Sequence, residues 1–359
     1  MRGRKQGFTL VELLIALVVM LLVMNAVTTF LVGVKGRGGV LNNFKQQSRI
    51  TQSEMDSSIG LQILRKDLEH AGYGLPWNNI PAYTEATDVN ATILNDSPQA
   101  PRGLVSINDP GFTQNNADYL VVKSSNVAMD SASKKWTILH AGDIKRAWTT
   151  VPANAENLNP ADRVIVLFPG STPANRRSLV IAGGAFSTTY NNTAAFAPGI
   201  ASDTRLIYGI SEPDPNPLRM PFNRADFYLS SANVPQQCAP NTGVLVKRVV
   251  RQSNGSFDLP LALLDCVASV QVLFMLDTDG DGTVDATLDD ISAFNAQQIR
   301  EQVKRVQVSI LAHEGRKDLT YTQSPTNISV AGTPVNISPN VNYRWKVYDL
   351  VINTDNLGS

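Results

Sequence analysis

The sequence predicts an α+β protein: one long N-terminal α-helix whose first half crosses a membrane, then a large antiparallel β-rich C-terminal head. Three observations predict it. Phe8 to Val34 is a 27-residue segment whose only charge is Glu12. Residues 40–71 hold no proline and carry apolar residues at helical spacing. From about Tyr73 the chain breaks into short runs that alternate apolar and polar residues, separated by turns rich in Pro, Asn and Gly. The expected organisation is a basic leader over 1–7, a helix over 8–72 with 8–34 in the membrane, and a head over 73–359.

Composition narrows the function classes. The 359 residues balance 31 Lys and Arg against 31 Asp and Glu, so no basic excess points to nucleic acid. The polar, loop-rich texture after residue 34 is that of an exported β protein. Cys238 and Cys266 are the two cysteines of the chain. In an exported chain they most simply form one disulfide, worth roughly 3–4 kcal/mol by chain entropy for a loop of this size; two buried thiols are the other reading. No CxxC and no His/Cys cluster occurs, which argues against zinc and thiol redox chemistry.

The N-terminus is the most informative stretch. MRGRKQG carries Arg2, Arg4 and Lys5 and ends in Gly7. At about 1.5 Å per residue, a helix over 8–34 would reach roughly 40 Å, enough to span a hydrocarbon core with tilt. A cleavable secretory signal has a shorter apolar core, about 7–15 residues, and its cleavage site follows that core. Here Gly7 precedes the apolar run. A carboxylate at a membrane-helix centre costs roughly 2.5–3.5 kcal/mol, less towards the end. Glu12 therefore calls for a cation at its own depth, and cleavage between Gly7 and Phe8 would supply one, the new α-amine of Phe8. The simpler reading is an ordinary anchor with a stray glutamate.

KQGFTLVELLIAL, residues 5–17, resembles the type IV prepilin signature. The resemblance implies cleavage by prepilin peptidase after Gly7, N-methylation of Phe8, and a role for Glu12 in aligning neighbouring subunits during assembly. The helix-breaking proline of many major pilins is missing, since Thr28 and Thr29 stand in that region. The flexible point falls at Gly33, Gly36, Gly38 and Gly39, glycines that weaken a helix by about 1 kcal/mol each. Lys35 and Arg37 flank the far end, but the basic leader favours a cytoplasmic start.

Residues 40–71 read as a second helical stretch ending at Gly72 and Gly74. Leu41, Phe44, Met55, Ile59 and Ile63 share one face, and Ile50, Leu61, Leu64 and Leu68 the roughly opposite one. Two stripes suit a helix held between its own sheet and neighbouring helices; burial in its own domain is the alternative. LQILRKDLEHAGYG, residues 61–74, resembles the Arg-Asp-Leu and Ala-Gly-Tyr runs of PilW-type minor pilins. Taken alone, Arg65, Lys66, Asp67 and Glu69 read as a solvated face.

Strands are expected at 118–125, 134–141, 162–168, 177–183, 204–210, 227–231, 243–252, 267–276, 303–314 and 343–353, with a Pro- and Asn-rich loop at 211–224 and a hairpin at 327–338. The late strands also resemble those of PilW-type chains; residues 75–240 do not.

DTDGDGTVD, residues 277–285, is the sharpest constellation in the head. Asp277, Asp279, Asp281, the Thr283 carbonyl and Asp285 fall on the first, third, fifth, seventh and ninth places of an EF-hand loop. The twelfth place is Leu288, and the preceding run is strand-like, so the expectation is a strand-linked Ca2+ loop with Asp289 or Asp290 as extra ligands. A solvated Asp-Gly turn is the alternative. PilW-type chains often show a similar loop.

No catalytic constellation is visible. His140 and Asp143 lack a nucleophile motif, His70 sits at a helix end, and His313 at a strand end reads as a capping or surface residue. The resemblance therefore implies a non-enzymatic minor pilin in a tip or priming complex. Its partners would be prepilin peptidase, other major and minor pilins, a tip adhesin and the inner membrane, with no nucleic acid. It would cross the inner membrane once with its head in the periplasm, then reach the cell surface in the pilus. A J-like minor pseudopilin of a type II secretion system and an anchored calcium-binding adhesin are the alternatives.

Overall fold

The structure, a computed structural model, describes residues 9–34, 37–38, 57–149, 155–213 and 217–358. Helix α1 (Leu10–Val32) is apolar around its whole circumference. It ends where the glycines begin, and Gly33–Val34 pairs antiparallel with Arg37–Gly38. Helix α2 is seen over 57–69 and stops at Gly72, whose φ of 84° no β-carbon-bearing residue adopts without strain. Leu41, Phe44, Ile50 and Met55 lie outside the described residues.

After α2 the chain lays β1 (Leu104–Ile107) and β2 (Tyr119–Ser124) into a large sheet. It then leaves for a smaller sheet with β3 (Trp136–His140), β4 (Arg163–Phe168), β5 (Ser178–Leu179) and β6 (Thr204–Ser211). It returns with β7 (Asn223–Ser230), β8 (Gly243–Val249), β9 (Leu261–Leu276), β10 (Ala286–Leu288), helix α3 (Ala296–Gln302), β11 (Val303–Glu314) and β12 (Arg344–Asn353), and ends in α4 (Asp355–Gly358). The large sheet runs β12-β11-β9-β8-β7-β2-β1, with β10 beside β9, and every pairing is antiparallel. The small sheet, within residues 125–222 of the chain, is thus inserted between the adjacent strands β2 and β7.

Alternation explains the packing. Val270, Val272 and Phe274 of β9 and Val306, Val308 and Ile310 of β11 join Leu64, Leu68 and Ala71 of the α2 segment in one apolar core. Each such side chain contributes about 1.5–3 kcal/mol on burial. In the small sheet Val164 and Val166 face one cluster while Ile165 and Leu167 face another, so that sheet is covered on both sides.

The long N-terminal apolar helix and the large antiparallel β-rich head are as the sequence predicts, with differences at particular ends. β11 spans 303–314 as expected. β9 begins six residues before the expected start at 267, and β7 four before 227. Only Ser178–Leu179 of the 177–183 run pairs as strand. Strand β1 and helix α3 are additions to the expected elements. The 327–338 hairpin forms, pairing Asn327–Val330 with Thr333–Asn336 across Ala331 and Gly332, both at positive φ as a two-residue turn requires.

Candidate functional site

Two regions carry the chemistry anticipated from the sequence, the start of α1 and the tip of the β9–β10 hairpin. Gly7 and Phe8 lie outside the described residues. Thr9 and Glu12 are described and form a reciprocal cap. The Thr9 N–H and hydroxyl each donate to Glu12 Oε2 at 2.9 Å, and the Glu12 N–H is 3.3 Å from Thr9 Oγ1. This is a Thr-x-x-Glu capping box, which satisfies N–H groups that a helix start would leave open. Charge reasoning alone assigns Glu12 to a neighbour and misses this capping role, which is legible in the same four residues. Leu10–Leu31 reaches a mean hydropathy of 2.7, and none of its residues is buried in the described protein. Thr28 and Thr29 turn their hydroxyls back to the Met24 and Asn25 carbonyls, so they add no open polar group to the rod.

Helix α2 is fastened to the head. Gly60 crosses β9 so closely that a β-carbon there would lie 1.8 Å from the Leu263 carbonyl oxygen. Leu64 and Leu68 are buried against the sheet, while Ile59 on the opposite side is 62% exposed. Asp67 corrects the expectation of a solvated charged face. It is buried, and Lys247 Nζ lies 2.6 Å from its Oδ2. Desolvation raises the Asp67 pKa, against the pull of the Lys247 charge.

At the hairpin tip, Asp277, Asp279 and Asp285 bring one carboxylate oxygen each within 4.8 Å of one another. The glycines at 280 and 282, at φ of 80° and 89°, turn the loop so that their N–H groups donate to Asp277 at 2.7 and 3.0 Å. Lys304 Nζ lies 3.3 Å from Asp277. Desolvation opposes ionisation of Asp277, but those N–H donors and Lys304 hold its pKa below the usual carboxylate value. Asp285 accepts from the Thr278 N–H and hydroxyl. Asp281 is not among the three; it accepts from the Thr283 hydroxyl and N–H instead, and those bonds lower its pKa. Asp289 accepts from Asn108, and Asp290 from the Ser292 N–H. The three gathered hard oxygens suit a Ca2+ ion; both Thr283 bonds to Asp281 use Oδ1, and its Oδ2 accepts neither of them.

Cys238 and Cys266 are bonded, with Cα atoms 4.9 Å apart. Cys266 sits at φ 57°, in a bulge where the register of β9 against β8 shifts. His313, expected at a surface or cap, is instead buried beside Tyr343 and Trp345, and its Nε2 accepts from the Ala239 N–H at 2.8 Å. Burial lowers its pKa to about 4, leaving a neutral ring.

A buried charge network in the head has no counterpart in any sequence pattern. Glu85 lies between Lys123 (2.7 Å) and Arg224 (3.0 Å), Asp96 bridges Lys123 and Arg102, and Arg224 also holds Asp226 at 2.8 Å. Tyr119 donates to Asp226. Three cations meet three carboxylates, and they pin the 83–102 segment onto β2 and β7.

One comparison with known proteins falls on the N-terminus, where the capped apolar helix begins. The prokaryotic N-terminal methylation motif matches residues 2–25. That motif defines a prepilin-type N-terminus, processed by prepilin peptidase and associated with pilin assembly. No curated protein matches the chain. Among solved structures, a type IV-like pilin from Thermus thermophilus is similar at 14% identity over 38% of this chain and 80% of that one, with a TM-score of 0.19. A score that low carries no argument.

Proposed function

We propose that the chain is a PilW-type minor pilin, a non-enzymatic subunit that takes part in type IV pilus assembly within a tip or priming complex. One observation carries this reading: a methylation motif on an apolar rod of which no residue is buried among the described residues. Cutting after Gly7 would free the Phe8 α-amine one residue before the Thr9–Glu12 cap. Both Thr9 bonds go to Oε2 of Glu12, which leaves Oε1 as an acceptor for a neighbour's amine. The apolar rods then bundle as they leave the inner membrane, and heads end in the periplasm or on the pilus. A head of this size fits poorly as a repeating unit of a tight filament, which favours the tip. Ca2+, held by Asp277, Asp279 and Asp285, would supply a fixed positive charge that ties the β9–β10 tip together.

The test is a deletion strain carrying wild-type or Glu12→Ala chain. The proposal expects few surface pili without the gene, recovery with wild-type, and poor incorporation of Glu12→Ala. Normal piliation with lost protein secretion would place the chain in a type II secretion pseudopilus. Full surface function with Glu12→Ala would make it an anchored adhesin.

A further inference from the structure

Trp77 follows the end of α2, and three guanidinium groups surround its ring. The central carbons of Arg176, Arg177 and Arg300 lie 5.1, 5.2 and 4.7 Å from the ring centroid. The three come from two places, Arg176 and Arg177 from the loop before β5 and Arg300 from α3. Their positions are fixed by backbone. The Trp77 backbone N–H donates to the Arg177 carbonyl at 3.0 Å, and Asn78 Nδ2 donates to the Pro173 and Arg176 carbonyls at 3.0 and 2.8 Å. Arg177 is held at φ 48°, a left-handed conformation that an arginine adopts only under constraint.

Little offsets this positive charge. Arg177 Nη1 is 3.4 Å from the Gly72 carbonyl, a weak contact, and its side chain also bonds Tyr208. Arg300 Nη1 is buried and has no hydrogen-bond partner. Glu301 is the one acidic neighbour that acts on Arg300, and none of the three arginines forms an ion pair among the described residues. Elsewhere in the head, the buried Arg224 is matched by the carboxylates of Glu85 and Asp226. Like charges crowd together at low cost only when a counter-charge joins them.

We propose that Arg176, Arg177 and Arg300, gathered about Trp77, form a binding site for an oxyanion of the phosphate or sulfate class. The guanidinium fork matches two oxygens of such a group. A tetrahedral dianion offers oxygens in several directions and about two negative charges, so it can serve more than one fork. A carboxylate offers one charge in one plane. Because the site joins the end of α2, the inserted small sheet and α3, a bound oxyanion also fastens these parts together.

The experiment uses the full chain in maltoside micelles, labelled with 5-fluorotryptophan. The chain has four tryptophans, and Trp77→Phe identifies the resonance of Trp77. Sodium phosphate and sodium sulfate are titrated separately against sodium chloride and sodium acetate at matched ionic strength. The expected result is a saturable shift of the Trp77 resonance with phosphate and sulfate, weakened at least tenfold by Arg300→Gln and several-fold by Arg176→Gln. The Arg176 side chain is exposed, so its variant keeps the fold if Arg300→Gln does not. A shift that tracks ionic strength alike in all four salts would overturn the site. So would an acetate response equal to that of phosphate, or undiminished phosphate binding in Arg176→Gln.

Discussion

The rod and the head treat charge in opposite ways. In the head, ionised side chains are buried with partners: Glu85 between Lys123 and Arg224, Asp67 with Lys247. In the rod, Glu12 is the single charge of an apolar helix, and what it touches among the described residues is Thr9. The charge network around Glu85 and the Asp67–Lys247 pair are closed within one chain. At the start of the rod, Glu12 is held by hydrogen bonds from Thr9, and under the proposed function its charge is met by a neighbour's amine. The contrast is that buried carboxylates such as Glu85 and Asp67 find cations within the fold, whereas Glu12 finds only Thr9 among the described residues.

The strongest way to break this comparison is to open the network of the head. Arg224→Leu leaves Glu85 and Asp226 without a shared cation and is expected to cost about 3–5 kcal/mol, because an uncompensated buried charge is worse than none. Urea unfolding of the full chain measures it. Glu12→Gln should shift the same curve by less than about 0.5 kcal/mol while impairing incorporation into filaments. Equal effects of the two variants on head stability would erase the distinction between rod and head.

Reducing the Cys238–Cys266 bond is the next largest change, about 3–4 kcal/mol for the loop it closes. Unfolding with and without reductant checks it. The rod, lacking cysteine, should keep its helical signal.

Asp118 gives the comparison a pH axis. Its Oδ2 accepts from the Val272 N–H, but its Oδ1 is buried without a partner. Desolvation, opposed by backbone N–H groups and aided by Asp289 and Asp290, raises its pKa to about 7. A raised carboxyl favours the folded state while protonated. Its contribution is full below the unfolded pKa near 3.8 and is lost as pH rises through about 7. His313 acts with the opposite sign: its contribution is full above 6.5 and is lost as pH falls towards 4. The two oppose each other below pH 6.5, and from there to about 7 Asp118 contributes to a fall in stability. Asp118→Asn should flatten it in thermal melts. A slope unchanged in that variant would remove Asp118 as its cause.

The smallest effect is at the hairpin tip. Adding Ca2+ should raise the melting temperature by a few degrees, and Asp279→Asn should cut that gain at least by half without affecting the calcium-free melt. Identical melts with and without Ca2+ would leave the tip a solvated turn.

Much of the fold is legible in the sequence, and what is not has physical reasons. In the run 303–314, Val306, Val308 and Ile310 alternate with Gln307 and Ser309 and pack into the core, so period and packing agree there. The start of β7, Asn223-Arg224-Ala225-Asp226, reads as loop because charge normally signals water; here Arg224 finds partners through the fold, from residues over a hundred positions away. Asp67 misleads for the same reason. β9 reads six residues short because Asp265 and the left-handed Cys266 interrupt the alternation. In the candidate site, the order of carboxylates in 277–285 is visible, but that Asp281 turns to Thr283 depends on local hydrogen bonds that spacing cannot rank.

Processing at Gly7 and Phe8 separates a filament subunit from a plain anchor. Intact mass and N-terminal fragmentation of this chain, recovered from sheared surface filaments, measure it directly. The prediction is a chain that begins at N-methylated Phe8, lacks residues 1–7 and retains its disulfide. A chain in those filaments that still begins at Met1 would contradict it.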